Sequence, residues 1–342
     1  VLRSLVRRFG ALAIVAAITV PAAAATQLTG AGATFDYPFF SKAFYIYTQK
    51  NPDVTVNYQS IGSGGGIAQF IAKTVDFAAS DVPMNAGELA RAGEPVLQFP
   101  VTLGGVAIAY NIPGVTATLR LTRQVVADIY LGKILKWNDP QIVRLNKGVN
   151  LPDMPIVVVH RSDGSGTTYI FTDFLSHVSP EWKSKVGAGK SVSWPAPSAV
   201  GAKGNEGVAG QVRSTPGAIG YVELAYVVEN HMSAAMLQNK AGKWLASSPD
   251  TIAAAAATKP EVSPTNFSIV DAAGASSWPI SGFSWVLVYK KPGDPGRAKL
   301  VYNVLAWLIG PEGQSNAKSV DYVPLPSNIQ SSSLATLKQM QH

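Results

Sequence analysis

The feature that most constrains this chain is a turn that recurs three times, with glycines and hydroxyl side chains directly before a helical pattern. Thr29-Gly30-Ala31-Gly32-Ala33-Thr34-Phe35 leads into the segment after Asp36. Ile61-Gly62-Ser63-Gly64-Gly65-Gly66 leads into Ile67–Ile71. Arg161-Ser162-Asp163-Gly164-Ser165-Gly166-Thr167 leads into Tyr169–Leu175. A helix start presents N–H groups with no partner inside the helix, and the positive end of the helix dipole. Glycine lets the backbone approach a bound group closely. Each turn therefore suits a small anion, although one glycine-rich turn alone is no more than a turn. The turn at Gly62 has no Lys after its last glycine and lacks the G-x-G-x-x-G spacing, so it fits neither nucleotide fingerprint.

Strand-like runs precede these turns. Val54, Val56 and Tyr58 alternate with polar residues, as in a half-buried strand. Phe77–Ser80, Val106–Tyr110, Ile156–Val159 and Ser284–Tyr289 are short apolar runs suited to buried strands. Between them, Phe39, Phe40, Ala43, Phe44 and Tyr47 have helical spacing, with Asp36 expected as the cap and Pro38 in the first turn. Val125–Tyr130 and Ala298–Ile309 read as further helices, and Ala253–Ala257 as a low-complexity stretch. This alternation predicts an α/β fold whose ligands bind beyond the strand ends. No repeat of 20–50 residues points to a solenoid or propeller. Two proline-marked extended stretches, Gln98–Val101 and Ser277–Ile280, are candidate crossings between two lobes.

The first residues read as a secretory leader. Arg3, Arg7 and Arg8 precede the apolar stretch Phe9–Val20, and Pro21 with Ala22–Ala25 supplies small residues for cleavage after Ala25. The stretch is shorter than the roughly 18–20 residues a membrane anchor needs. The 342-residue chain is 47% hydrophobic and 14% charged, which supports a packed core and argues against disorder. It has no cysteine, which excludes disulfides, thiolate metal sites and a cysteine nucleophile. Four histidines make a multi-histidine metal site a poor expectation. The net charge of +7 includes the three leader arginines, and no dense basic stripe with interleaved aromatics suggests nucleic acid.

Two charged positions sharpen the anion reading. Arg161 is suited either to fork onto an oxyanion or to form a local ion pair with Asp163. Asp81 follows the apolar run Phe77–Ser80 and suits either a strand-end ligand group or a turn cap before Val82-Pro83.

Five blocks together resemble the periplasmic phosphate-binding proteins of high-affinity phosphate ABC transporters. They are Leu28–Phe35, Thr74–Asp81, Asp128–Ile134, Asp163–Thr167 and Pro216–Tyr221. The resemblance runs through the chain beyond the leader. It implies a two-lobed periplasmic-binding-protein fold, each lobe a central sheet flanked by helices, joined by two hinge crossings. The expected organisation is a leader over 1–25, lobe I over 26–102 and 281–342, and lobe II over 103–280. It further implies binding of one inorganic phosphate between the lobes and delivery to a membrane permease, by a periplasmic protein that is a monomer, needs no cofactor and is not an enzyme. The contacts it implies are N–H groups at Ala33, Thr34 and Phe35 with the Thr34 hydroxyl, and the hydroxyl and N–H of Ser63. Asp81 would accept a hydrogen bond from the ligand. Arg161 would pair with the anion beside Asp163, and Ser165, Gly166 and Thr167 would donate from the second lobe. Gly64 stands where many relatives carry a second Ser, and His160 where a second basic residue is frequent.

Two rival readings remain at this level. A secreted phosphatase would need a metal cluster or an activated nucleophile. Gly164-Ser165-Gly166 is not the G-x-S-x-G elbow, but His160 adjoins the site. A binding protein for another oxyanion, such as sulfate, would use the same kind of turns.

Overall fold

In the computed structural model, which describes residues 25–342, the expected alternation becomes a curled nine-stranded sheet with helices packed against it, beside a separate three-stranded sheet formed by Arg120–Thr122, Met236–Gln238 and Trp244–Leu245. The leader expected over 1–25 lies outside the described residues apart from Ala25. Among the described residues no helix is long and apolar enough to cross a membrane.

Thr26–Gly32 pairs parallel with Val54–Ser60 on one side and with Phe77–Ser80 on the other. Ser281–Tyr289 then pairs antiparallel with Phe77–Ser80, and with Val96–Gly105 of a 15-residue strand, Val96–Tyr110. Past Gly105 this long strand changes neighbour, and Val106–Tyr110 pairs antiparallel with Ala218–Glu223. Val157–Arg161 and Val200–Ala202 extend that side in parallel register. The sheet therefore has two halves that share one strand. The return of the chain lies beside the change, where Val106 N–H donates to Ile280 O at 2.8 Å.

The stretch Gln98–Val101, read from the sequence as an extended crossing, lies inside this strand rather than between elements. Pro100 is tolerated because the register with Ser281–Tyr289 shifts at that point, and because its other side is an edge. That edge is covered by the C-terminal segment. Ser333 Oγ donates to Pro100 O and Gln314 Nε2 to Val101 O, each at 2.8 Å. Ser277–Ile280 leads directly into Ser281–Tyr289.

The helices follow from their apolar spacing. Tyr37–Lys50 buries Phe39, Phe40, Ala43, Phe44 and Tyr47 along one face. Each large side chain there contributes roughly 1.5–3 kcal/mol by leaving water. Pro295–Ile309 packs Ala298, Val301, Val304, Leu305, Leu308 and Ile309 in the same way. Ala253–Ala257 belongs to the helix Pro249–Ala257, which Ser248 caps with a reciprocal Thr251 contact. Asp36 does occupy the position before helix Tyr37–Lys50, but its side chain caps nothing. It turns inward instead, toward Ser284 and Tyr58.

All three glycine turns, and Asp81, follow the carboxyl ends of parallel strands. Gly32, Ser60 and Ser80 end strands in one half, and Arg161 ends a strand in the other. Parallel strands of one half present these ends on one side, so the ligand-binding crevice of an α/β sheet falls there.

Candidate anion-binding site

One wall of the crevice is built from three turns. After Gly32 the chain passes so close to the next strand that a Cβ on Gly32 would lie 2.0 Å from Ala79 O. Ala33 follows and donates its N–H to Ala79 O at 3.0 Å, so it sets the turn and spends that donor within the fold. Thr34 and Phe35 come next and are buried. Ser63 opens the helix Ser63–Ile71 behind Gly62, whose φ of +87° only glycine adopts without strain. Asp81 is 2% exposed at the end of Phe77–Ser80. Ser80 makes the local turn with Val82, so Asp81 is not consumed as a cap.

The other wall starts at Arg161, whose guanidinium is held as a fork. Its Nε donates to Asp163 Oδ1 at 2.7 Å and its Nη2 to Asp163 Oδ2 at 2.5 Å. Gly204 N–H adds a third bond to Asp163 Oδ1 at 3.1 Å. The backbone N–H of Arg161 is fixed by Tyr221 OH at 2.9 Å. The remaining guanidinium nitrogen, Nη1, points to Thr167 Oγ1 at 3.4 Å. Of the two alternatives in the sequence, the ion pair with Asp163 is formed, and it leaves Nη1 outside that pair. Ser165 caps the helix Gly166–Val178, accepting from Thr168 N–H at 3.0 Å. Gly166 and Thr167 form its first turn. His160 lies on the opposite face of its strand, as alternation demands, with its ring stacked on Trp194 and Nδ1 2.9 Å from Arg161 O.

The two walls touch. Gly64 N–H donates to Gly164 O at 2.8 Å, and a Cβ on Gly64 would come within 3.0 Å of Gly164 Cα. The missing side chain at 64 therefore lets two backbones meet. Gly166 N–H reaches Ser63 Oγ at 3.1 Å, and Ser63 Oγ also receives Asp81 N–H at 3.3 Å. Lys190, whose carbonyl accepts from Ser165 N–H, pairs with Glu88 on the facing half.

Asn205 was not singled out in the sequence, and it joins the walls most fully. Its Nδ2 donates to Thr34 Oγ1 at 2.9 Å and to Thr167 Oγ1 at 3.1 Å. Its backbone N–H also reaches Thr34 Oγ1 at 3.1 Å, and its Oδ1 accepts from Glu223 N–H at 3.0 Å. The available signal was a fourth strand–glycine–helix turn, Val200–Ala202 followed by Gly204 and the helix Gly204–Ser214. Ser284 also escaped notice. Its hydroxyl lies 2.5 Å from Asp36 Oδ2 and 3.0 Å from Asp81 Oδ1.

The electrostatics of the walls differ. Burial pushes the Asp81 carboxyl up to about 7, against hydrogen bonds from Ser284, Ser63 and the Thr167 backbone and the charge of Arg161. Burial, with Asp81 nearby, holds Asp36 well above the usual carboxylate range. Burial raises Glu223 similarly, and its Oε1 has no hydrogen-bond partner. Burial also works against ionised Asp163, but the bonds and charge of Arg161 outweigh it and bring that carboxyl below its usual value. Among the described residues no group of three or more His, Asp or Glu is arranged to hold a metal ion.

A two-lobed sheet with a buried arginine on one wall and buried acids on the other is the architecture of an anion-binding protein, and sequence relatives agree. The family model for the PBP superfamily domain matches residues 19–312. The phosphate-binding protein PstS of Pasteurella multocida is 48% identical over 89% of this chain and 88% of its own length. That of Haemophilus influenzae is 44% identical over 91% of this chain and 92% of its own. Among solved structures, a high-affinity periplasmic phosphate-binding protein bound with phosphate (PfluDING) matches with a TM-score of 0.73 at 22% identity, over 91% of this chain and 93% of its own. A phosphate-binding protein of Stenotrophomonas maltophilia matches at 0.71 and 19% identity, over 91% of this chain and 94% of its own. This chain belongs to the PBP superfamily and, within it, to the phosphate-binding proteins of ABC transporters.

Proposed function

We propose that this protein binds inorganic phosphate between its two walls and delivers it to the membrane permease of a phosphate ABC transporter. It acts as a binding component, without catalysis. The observation that carries the reading is a buried Arg161 opposite a buried Asp81. A cation and an acceptor facing one crevice suit an oxyanion that itself bears a proton. Arg161 supplies the fork, held by Asp163. Ser63, Ser165 and Thr167 surround it with hydroxyls, and the backbone N–H groups of Thr34 and Phe35 complete the set, with Gly166 N–H turning from Ser63 Oγ to the anion when it binds. Ala33 contributes by shaping the turn.

Dehydrating such an anion is costly, and many bonds must offset it. A charge-assisted bond nets about 1.5–3 kcal/mol, and micromolar affinity needs roughly 8 kcal/mol, so several such bonds must act together. The lobes in this reading divide where the long strand changes neighbour, near Gly105, and where the chain returns, near Ile280. The protein works as a periplasmic monomer after its leader is removed, with Thr26 as the first residue. Intact mass of the secreted protein checks that end.

Calorimetry on phosphate-stripped protein tests the binding, with sulfate and a phosphomonoester as comparison ligands. Saturable phosphate binding, with weaker sulfate and no ester turnover, is the expected result. Small-angle scattering should show a smaller radius with phosphate, because a ligand that touches both walls favours closure. Equal affinity for sulfate would move the assignment to another oxyanion.

A further inference from the structure

Asp36 and Asp81 approach one hydroxyl from two sides. Ser284 Oγ is 2.5 Å from Asp36 Oδ2 and 3.0 Å from Asp81 Oδ1, and all three side chains are buried. A serine hydroxyl carries one proton. If both carboxyls were ionised, Ser284 would satisfy one and turn its lone pairs to the other. One additional proton satisfies both contacts, because the protonated acid donates to Ser284 and Ser284 donates onward.

The surroundings decide which acid holds that proton. Asp81 faces the charge of Arg161, the Ser63 hydroxyl and the Thr167 backbone N–H, all of which favour its ionised form. Asp36 is fully buried and is met by two hydroxyls, Ser284 and Tyr58, and its own backbone N–H, with no cation in contact among the described residues. Tyr58 OH lies 2.9 Å from Ala33 O and only 3.3 Å from Asp36 Oδ1, so its proton serves the carbonyl first. The further charged and titratable groups around this cluster are Glu223, Tyr226 and Tyr322, and none of them supplies a positive charge.

We propose that Asp36 is a positioning residue for the ligand: it stays protonated and donates to Ser284, which donates to Asp81, so Asp81 remains an anionic acceptor for a phosphate hydroxyl. The relay keeps one negative charge beside the bound anion in place of two. It also fixes which oxygen of Asp81 is left for the ligand, since Oδ1 is taken by Ser284. The inference rests on the phosphate reading above. It adds a residue that lies just past the Ala33–Phe35 turn and does not itself face the ligand.

The test is infrared spectroscopy of the phosphate-bound protein at pH 8, in the carbonyl-stretch region of protonated carboxyls. The unmodified protein is compared with Asp36→Asn, Asp81→Asn and Ser284→Ala. The acid of Glu223 is common to all four and cancels in difference spectra. Asp36→Asn should lose one protonated-carboxyl band, and Asp81→Asn should keep it. Ser284→Ala should keep the band but shift its frequency, because the acid has lost the acceptor of its proton. That shift also reads the relay should Asp36→Asn fail to fold. A band lost in Asp81→Asn and kept in Asp36→Asn, no band in either comparison, or a band unmoved in Ser284→Ala overturns the relay. Calorimetry on the same unmodified protein separates the two levels. Failure to bind phosphate overturns the functional reading and the relay with it, whereas phosphate binding with the band carried by Asp81 overturns the relay alone.

Discussion

The two walls of the crevice are built on the same plan and do different work. Each hangs from the carboxyl ends of parallel strands and offers a glycine turn at a helix start. The wall from Thr34, Ser63 and Asp81 feels a positive charge only from Arg161 across the crevice, and it carries the carboxyls that burial drives upward. The wall from Arg161 to Thr167 has the guanidinium and an acid held below its usual value by it. The second wall can attract an anion, and the first is suited to examining whether that anion carries a proton. In the proposed reading neither is a complete site alone, so affinity and selectivity should be separable by substitution, with closure combining them.

The largest effect should come from removing the attracting wall's charge. Arg161→Ala takes away the guanidinium and leaves Asp163 ionised and unpaired beside the anion. Losing at least one charge-assisted bond and gaining that repulsion should weaken phosphate roughly a hundredfold or more in calorimetry. Ser165→Ala removes one hydroxyl and a helix cap, which corresponds to roughly a tenfold loss. Equal small losses in the two variants would show that Arg161 serves only its local ion pair.

The next effect tests closure. A Cβ on Gly166 would lie 2.5 Å from Asp81 Cβ and 2.7 Å from Asp81 N. Backbone cannot yield there as a flexible side chain would. Gly166→Ala should cost about 1–3 kcal/mol of the closed state. Scattering should then show less compaction with phosphate than in the unmodified protein. Full compaction would mean that the walls meet differently in solution.

Acidity distinguishes the walls through stability. Folding keeps a proton on Asp81 up to about 7, whereas the unfolded chain releases it near the ordinary 3.8. Between those values the folded state binds more protons, so this contribution falls as pH rises. Asp36 and Glu223, also raised, act in the same direction. Asp163 has the opposite sign, and its contribution is lost only as pH falls below the ordinary carboxylate value. Phosphate-free protein should therefore melt at a higher temperature at pH 5 than at pH 8. A melting temperature that rises over that interval would show that the acidic wall is solvated rather than buried.

Much of this was legible in the sequence because the signals were local. Alternating Val54, Val56 and Tyr58, and the apolar spacing of Phe39 to Tyr47, specify strand and helix within a few residues. The glycine turns mark strand ends for the same reason. What was not legible depends on contacts across long separations. Asp36 read as a cap because its position before Pro38 is that of a cap, yet Ser284, 248 residues away, draws its side chain inward. Asn205 sits between Lys203 and Glu206 in a turn with no hydroxyl side chain, and its role appears only when Thr34 and Thr167 are brought beside it. Pro100 read as a linker because proline is poor in central strands. The register shift and the covered edge that admit it are tertiary features.

The smallest effect on phosphate, and the sharpest on selectivity, belongs to Asp81→Asn. The ligand-free carboxyl, with its value near 7, is divided between its forms at neutral pH, rather than wholly ionised as a surface aspartate would be. A phosphate hydroxyl placed against it, with Arg161 nearby, selects the ionised form and gives a charge-assisted O–H···O bond. Sulfate carries no proton at neutral pH, so its oxygens meet a like charge in the ionised fraction and a donor only in the protonated fraction, a discrimination against that ligand that grows as pH rises above about 7. In Asp81→Asn the amide oxygen still accepts from phosphate, and the amide N–H₂ can turn toward a sulfate oxygen. Replacing a charge-assisted bond by a neutral one costs about 1 kcal/mol, so phosphate affinity should fall by only several-fold. Sulfate should become a measurable competitor. The measurement is displacement of bound phosphate by excess sulfate at matched ionic strength, in the unmodified protein and in Asp81→Asn. Equal competition in the two would mean that Asp81 does not sense the ligand proton, and the division of labour between the walls would fail at its selective half.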